Sequence, residues 1–276
     1  MSFFRWRFSG SWIGFVLAIG FCASVWSADN VPRIPAGYDP GLGREEIFNQ
    51  ANNYYRDSKL EEALAGYTYL ADLGVSNGYL FYNLGNTHFR LGHTGVAILW
   101  YERAKRYLPR FSDLLFNLNY ARSTLVDEEF KPPVYGGTVG FLIQLHHALN
   151  LRDSLGLLRI IIWLFLGSLS AFLLVALPPL RAGCKMLAWS AGILLALGIL
   201  STGYKIHQQE YVMEAVITAP AIDVTTGPGP DFSTAFSLHE GTKVQVMQRQ
   251  ETWMRIVLPG NVGFTGWIPS ESVEIM

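Results

Sequence analysis

The sequence predicts a multidomain membrane protein: an all-α repeat domain, a two-helix transmembrane hairpin and a small all-β barrel. Three observations carry that reading. Half of the 276 residues are hydrophobic and only 16% are charged, against about 25% charged in a soluble globular protein. Two uncharged apolar runs of membrane-spanning length follow one another in the chain. The residues before these runs show helical spacing, and those after them turn to short β-favouring segments. Composition excludes other classes. With 21 basic and 22 acidic residues, no basic surplus exists to displace phosphate counterions, so nucleic acid is not the expected partner. An aromatic content of 14% excludes a largely disordered chain, and two cysteines exclude a disulfide scaffold.

Residues 1–28 read as an export signal or an N-terminal anchor. Arg5 and Arg7 precede an uncharged stretch from Ser9 to Ala28, closed by the small residues Ser24, Ser27 and Ala28. Cleavage and retention both leave the arginines in the cytoplasm and send the following chain across the membrane. Bulky Phe21 ahead of Cys22 argues against a lipoprotein cysteine. Residues 29–43 form a linker.

Residues 44–130 carry an internal repeat. Tyr82, Asn83, Leu84, Gly85 and Asn86 open a segment that continues through His88, Ala97, Tyr101, Ala104 and Pro109. Gly85 and Ala97 are small where two antiparallel helices cross, and Tyr101 fills the space beside them. Leu91, Gly92 and His93 make the turn, and Pro109 ends the second helix. This spacing matches the tetratricopeptide pattern, a helix pair repeating about every 34 residues, with His88 in place of the usual tyrosine. One repeat earlier, Ala51, Ala63 and Tyr67 take the places of Gly85, Ala97 and Tyr101, with Asn52 under Asn86. One repeat later, Asn117 and Leu118 fall under Asn83 and Leu84 on a closing helix. Two repeats fall short of the roughly three usually needed, so a partner, the membrane or the closing helix must cover the ends.

The first helix of each pair lines the concave face of such a stack. Here it presents Phe48, Asn52, Tyr79, Tyr82, Asn83, Asn86, Phe116, Asn117 and Tyr120. Asparagine both donates and accepts hydrogen bonds, which suits the backbone of an extended peptide. The repeat pattern itself favours asparagine there, so a purely structural role stands beside the binding one. Phe48 and Asp113 occupy positions where carboxylate-gripping domains carry basic residues, so no carboxylate clamp is expected.

Residues 131–158 connect this domain to the hairpin. The stretch from Thr138 to Leu158 is apolar but interrupted by His146, His147, Arg152 and Asp153. It reads either as an amphipathic helix on the membrane surface or as a packed connector. Neighbouring helical residues point about 100° apart, and no third ligand follows the two histidines at a recognisable spacing, so no metal site is expected.

The hairpin occupies residues 159–204. Ile160–Leu177 and Met186–Tyr204 are uncharged, each approaching the roughly 20 residues that cross a bilayer, and neither shows a polar face. The connection from Pro178 to Lys185 carries Arg181 and Lys185 and no acid. The positive-inside rule assigns it to the cytoplasm, which puts residues of about 29–158 and 205–276 on the exported side. Cys22 and Cys184 lie outside both exported parts, in keeping with an oxidising compartment.

Residues 214–276 form the β part. Ala215–Ile217, Ala221–Val224, Lys243–Met247, Trp253–Val257 and Gly266–Ile268 are β-favouring, separated by turn signals at Thr226–Pro230, Glu240–Gly241 and Pro259–Gly263. Together with Leu238, Gly241, Ile256 and Trp267, this order resembles the bacterial SH3-like barrel, with Thr225 where its first motif carries arginine. Trp253, Phe264 and Trp267 are its candidate ligand-binding residues. The alternative is that the tryptophans are core or edge residues of a tiny barrel.

No catalytic constellation is present: the chain lacks a phosphate loop, H-E-x-x-H and G-x-S-x-G. Paired acids such as Glu45-Glu46, Glu61-Glu62 and Glu128-Glu129 read as solvated charge. Neither an enzyme nor a cofactor is expected. The combination of signal, repeats, hairpin and barrel resembles the BatE-type proteins of bacterial aerotolerance (Bat) operons. The stretches Asn77–Asn86, Ala97–Ala104 and Leu115–Arg122, the last followed by Val126, Asp127 and Glu128, carry the likeness. It implies a non-enzymatic scaffold of the bacterial inner membrane with both domains in the periplasm, beside membrane proteins bearing von Willebrand factor A domains and a MoxR-type ATPase. The alternative function is binding or anchoring to peptidoglycan through the SH3-like domain.

Overall fold

The structure, a computed structural model, describes residues 32–127, 136–259 and 261–276. The signal or anchor of residues 1–28, the Glu128-Glu129 pair and the start of the connector lie outside the described residues.

Five helices come first: α1 (Arg44–Arg56), α2 (Leu60–Asp72), α3 (Gly78–Arg90), α4 (Thr94–Tyr107) and α5 (Ser112–Ser123). Helices α1, α3 and α5 start at residues 44, 78 and 112, and α2 and α4 at 60 and 94. Every start therefore recurs after 34 residues (78 minus 44, 112 minus 78, 94 minus 60). Local chemistry fixes the boundaries. The Asn77 side chain accepts the Tyr79 N–H at 2.8 Å and caps α3, and Glu46 accepts the Gly43 N–H at 2.7 Å ahead of α1. The small residues Ala51, Ala63, Ala97 and Ala104 are fully buried, and Tyr67 and Tyr101 fill the spaces between helices.

Three helices follow: α6 (Gly137–Ala148), α7 (Leu151–Leu174) and α8 (Pro178–Tyr211). Leu158 lies against Gly198 and Phe165 against Gly192, so α7 and α8 run antiparallel. Both are long and apolar enough to cross a membrane. The chain reverses at Val175–Leu177, so the expected loop from Pro178 to Lys185 is instead the start of α8. The physical reason is that proline at the first helical positions forfeits no hydrogen bond and its φ already suits a helix. Arg181 stays beside the turn, its guanidinium 5.0 Å from the Phe172 ring centroid. At the other end α7 begins at Leu151, taking in Arg152 and Asp153, and α8 runs on to Tyr211.

The remainder is one sheet: β1 (Met213–Ile217), β2 (Ala221–Thr225), β3 (Thr234–His239), β4 (Lys243–Gln250), β5 (Trp253–Leu258), β6 (Asn261–Pro269) and β7 (Val273–Ile275). Its order is β3-β2-β6-β5-β4-β1-β7, with every pairing antiparallel. Period-two alternation sets its faces: Met254, Ile256 and Ile268 point into the core, while Arg255 and Trp267 pair on the outside. β3, β7 and the first half of β6 go beyond the strands legible in the sequence, and β6 starts within the expected Pro259–Gly263 turn.

This β domain is not separate from the helices. Val216 of β1 belongs to the same buried cluster as Ile98, Leu99, Leu114 and Leu118, and Met276 packs against it. A Cβ at Gly95 would stand 2.9 Å from the Ile217 carbonyl, and one at Gly241 2.4 Å from Leu125. The two backbones meet this closely because both residues lack side chains, and Gly241 also takes a φ of +83°.

Candidate functional site

The face shared by α1, α3 and α5 is built on a repeating hydrogen-bond ladder. The Tyr67 hydroxyl donates to Asn52 Oδ1 at 2.7 Å, and Asn83 Nδ2 donates to the same oxygen at 2.9 Å. One repeat later, Tyr101 donates to Asn86 Oδ1 at 2.8 Å and Asn117 Nδ2 donates to it at 2.8 Å. Burial pushes both phenols well above the ordinary tyrosine range, so they remain donors at any physiological pH. Asn117 Nδ2 also reaches the Tyr82 hydroxyl at 3.1 Å. The four asparagines thus join successive helices through half of the polar capacity of Asn52, Asn86 and Asn117 and a quarter of that of Asn83. Each amide offers two donors and an acceptor with two lone pairs, so the half-buried groups retain capacity toward the open side of the face.

Aromatic side chains border this ladder. Phe116 is 70% exposed, Tyr120 55% and Tyr79 52%. Tyr79 and Tyr82 pack edge-on against Phe111, with centroids 5.7 and 5.1 Å away, and Tyr120 does the same with Phe89 at 5.7 Å. Phe48 is half-buried and leans on Tyr67 at 5.9 Å. The structure therefore brings together, along α1, α3 and α5, the nine residues singled out in the sequence. Four serve the ladder, Tyr82 accepts from it, and Tyr79, Phe116 and Tyr120 are free to touch a partner.

In the β domain, Trp253 and Trp267 share the outer face of the β5–β6 pair: Trp253 is opposite Pro269, and Trp267 is opposite Arg255. Both are half-buried and neither belongs to the core cluster. Phe264 is set apart from them, packing edge-on against Phe236 at 5.5 Å. Thr225 is buried, its hydroxyl 2.8 Å from the Gly227 carbonyl and 3.1 Å from the Trp267 carbonyl.

A polar seam between the helices and the β domain had no signal in the sequence. Asp127 accepts the His239 N–H at 2.7 Å, faces His239 Nδ1 at 2.8 Å and accepts the Thr242 hydroxyl at 2.6 Å. Burial raises the Asp127 carboxyl, but these bonds outweigh it and hold the group below the ordinary carboxylate value. Glu240 accepts the Gly95 N–H at 3.0 Å. Arg103 pairs with Glu274 at 3.0 Å and donates to the Ile275 carbonyl at 2.6 Å. Buried Glu102 pairs with Arg122; burial raises its carboxyl, and Lys243, Lys105, Arg122 and Arg106 together bring it below its ordinary value.

His146 and His147 stand with ring centroids 5.3 Å apart, and His146 Nδ1 is 2.7 Å from the Ser201 hydroxyl. Among the described residues no group of three potential metal ligands gathers. No family model matches the chain, and no curated protein does.

Proposed function

We propose that the chain is a membrane-anchored, non-enzymatic protein-interaction scaffold. Its helix pairs are read as tetratricopeptide repeats, its sheet as an SH3-like barrel, and α7–α8 as a transmembrane hairpin. The observation that carries the proposal is the α1/α3/α5 face: three exposed aromatic rings beside a hydrogen-bonded asparagine–tyrosine frame. Such a surface suits an extended polypeptide that brings apolar side chains and an unpaired backbone. The contact of α4 with β1 supports a hairpin that returns the chain to its starting side. The basic residues Arg181 and Lys185, at the turn end of α8, support the periplasm of a bacterial inner membrane as that side. The resemblance to BatE-type proteins points to partners among inner-membrane proteins with von Willebrand factor A domains.

The test is capture by the full chain in lipid nanodiscs from solubilised inner membranes. Replacing Tyr79, Phe116 and Tyr120 by alanine should abolish retention of a membrane protein, while replacing Trp253 and Trp267 should not. Equal retention by both variants would refute this face as the binding site. The second reading, peptidoglycan binding through the β domain, is favoured by the paired outward positions of Trp253 and Trp267. It predicts co-sedimentation with purified cell wall that only the tryptophan variant loses. Orientation is read by thiol labelling of intact cells at Ser76→Cys and Ser233→Cys, both at exposed positions, with Cys184 beyond the membrane as the unlabelled reference.

A further inference from the structure

We infer that α6 is a membrane-interfacial helix, lying in the headgroup layer with Phe141, Leu142 and Leu145 turned into lipid. The inference rests on the reading of α7–α8 as a transmembrane hairpin. These three residues fall within an arc of about 100° on a helix, yet they are 64%, 53% and 41% exposed. Among the described residues nothing covers them. Buried Gly140 and the exposed imidazole of His147 lie on the opposite arc.

What fixes the depth of α6 is Lys205. The residue is buried, although it sits where the apolar run of α8 ends and a lysine would ordinarily extend to water. Instead it donates to the His146 carbonyl at 2.8 Å and to the Leu149 carbonyl, with the Ser154 hydroxyl 3.5 Å away. The C-terminal carbonyls of α6, which have no partner within the helix, are thereby paired with a positive charge on α8. The bond from His146 to Ser201 and the Tyr204 ring 5.8 Å from His146 repeat the attachment. α6 is thus clamped to α8 at Ser201–Lys205, level with the end of the hydrophobic span.

At that level an outward apolar arc is continuous with the lipid-facing surface of the hairpin. Arg152 and Arg159, both exposed on the first turns of α7, stand at the same end and are placed for lipid phosphates. The connector therefore works as a third membrane contact that fixes how the domain stands on the surface, beyond simple tethering.

The experiment uses the full chain with Cys22 and Cys184 replaced by serine, reconstituted in phosphatidylcholine–phosphatidylglycerol vesicles. Single nitroxide labels go at Phe141→Cys, Leu145→Cys, His147→Cys and, within the span, Leu166→Cys. Power saturation with oxygen and with a water-soluble nickel chelate reads the depth of each. Labels at 141 and 145 should favour oxygen several-fold over the chelate, the label at 147 the reverse, and the label at 166 should be deepest. Chelate access at 141 and 145 with 166 still in lipid overturns the inference and leaves the hairpin standing. Shielding of 141 and 145 from both reagents means that protein covers the arc, which also overturns it. Chelate access at 166 overturns the hairpin itself.

Discussion

Replacing Asp127 by alanine should loosen the β domain from the helices without unfolding either. The carboxylate accepts from the His239 amide, the His239 ring and the Thr242 hydroxyl at 2.6 to 2.8 Å. A hydrogen bond to a charged group contributes about 1.5–3 kcal/mol net. The three share one partly accessible acceptor and are not additive, so about 3 kcal/mol is expected for the group as a whole. That corresponds to roughly 100-fold more frequent separation of the seam. The reporter is the Gly95 amide, which lies in the first turn of α4, has no helical carbonyl to bind, and is held by Glu240 at 3.0 Å. Hydrogen exchange of the full chain in nanodiscs should show that amide exchanging about 100-fold faster in Asp127→Ala. Peptides covering Leu80–Leu84 and Met254–Ile256 should be unchanged. Because the folded carboxyl lies below its unfolded value, its contribution is complete above a pH of about 4 and is lost as the pH falls through the folded value. An exchange rate at Gly95 within threefold of the wild type would refute the seam as the element that holds the two parts together.

Three further outcomes follow from the same geometry. Tyr67→Phe and Tyr101→Phe should each cost about 1 kcal/mol in urea unfolding, and equally, because each removes the same bond from successive repeats. Burial first, then His93, lowers the His88 imidazole to about 4; a folded value below the unfolded one means stability is complete above pH 6.5 and falls as the pH drops toward 4. After allowance for partial exposure the loss is about 1–2 kcal/mol, and melting curves of His88→Gln should lack that slope. Gly95→Val should separate the seam at a cost of about 1–3 kcal/mol, read at Val216 and its neighbours by exchange, since its Cβ would meet the Ile217 carbonyl at 2.9 Å.

The helical part was legible because its determinants are local and periodic. Tyr67 and Tyr101, or Asn52 and Asn86, recur at a fixed interval, and small residues mark each crossing. Even the ladder was implicit in the register of Asn52 with Asn86 and of Asn83 with Asn117. The boundaries of the two long apolar helices were less legible: Pro178 reads as a turn residue, yet proline is equally suited to open a helix. Strand β3 escaped because Ala235 and Ser237 break up its β-favouring residues, and pairing with β2 rather than propensity makes it a strand. The seam was invisible for a different reason. Asp127 and His239 are 112 positions apart, and no local pattern pairs one with the other.

The seam also alters how the two domains can act. Linked by a flexible chain, two recognition modules raise one another's effective concentration over any spacing the linker can span. Here Val216 and Met276 complete a core that includes Ile98, Leu99 and Leu118, so the spacing is set by packing. The outer surface of α4 is spent on this contact, while the α1/α3/α5 face stays open. Two further ties bind the body to the start of α7: Arg110 pairs with Asp153 at 3.0 Å, and Asn150 donates to the Tyr107 carbonyl at 3.1 Å. A ligand gripping both domains must match a fixed geometry. Deleting the β domain would lay open Ile98 and Leu125, so a truncated chain would report the loss of a core rather than of a binding module. Point changes at Phe116 or Trp253, exposed or half-buried and outside every core cluster, separate binding from folding where truncation does not.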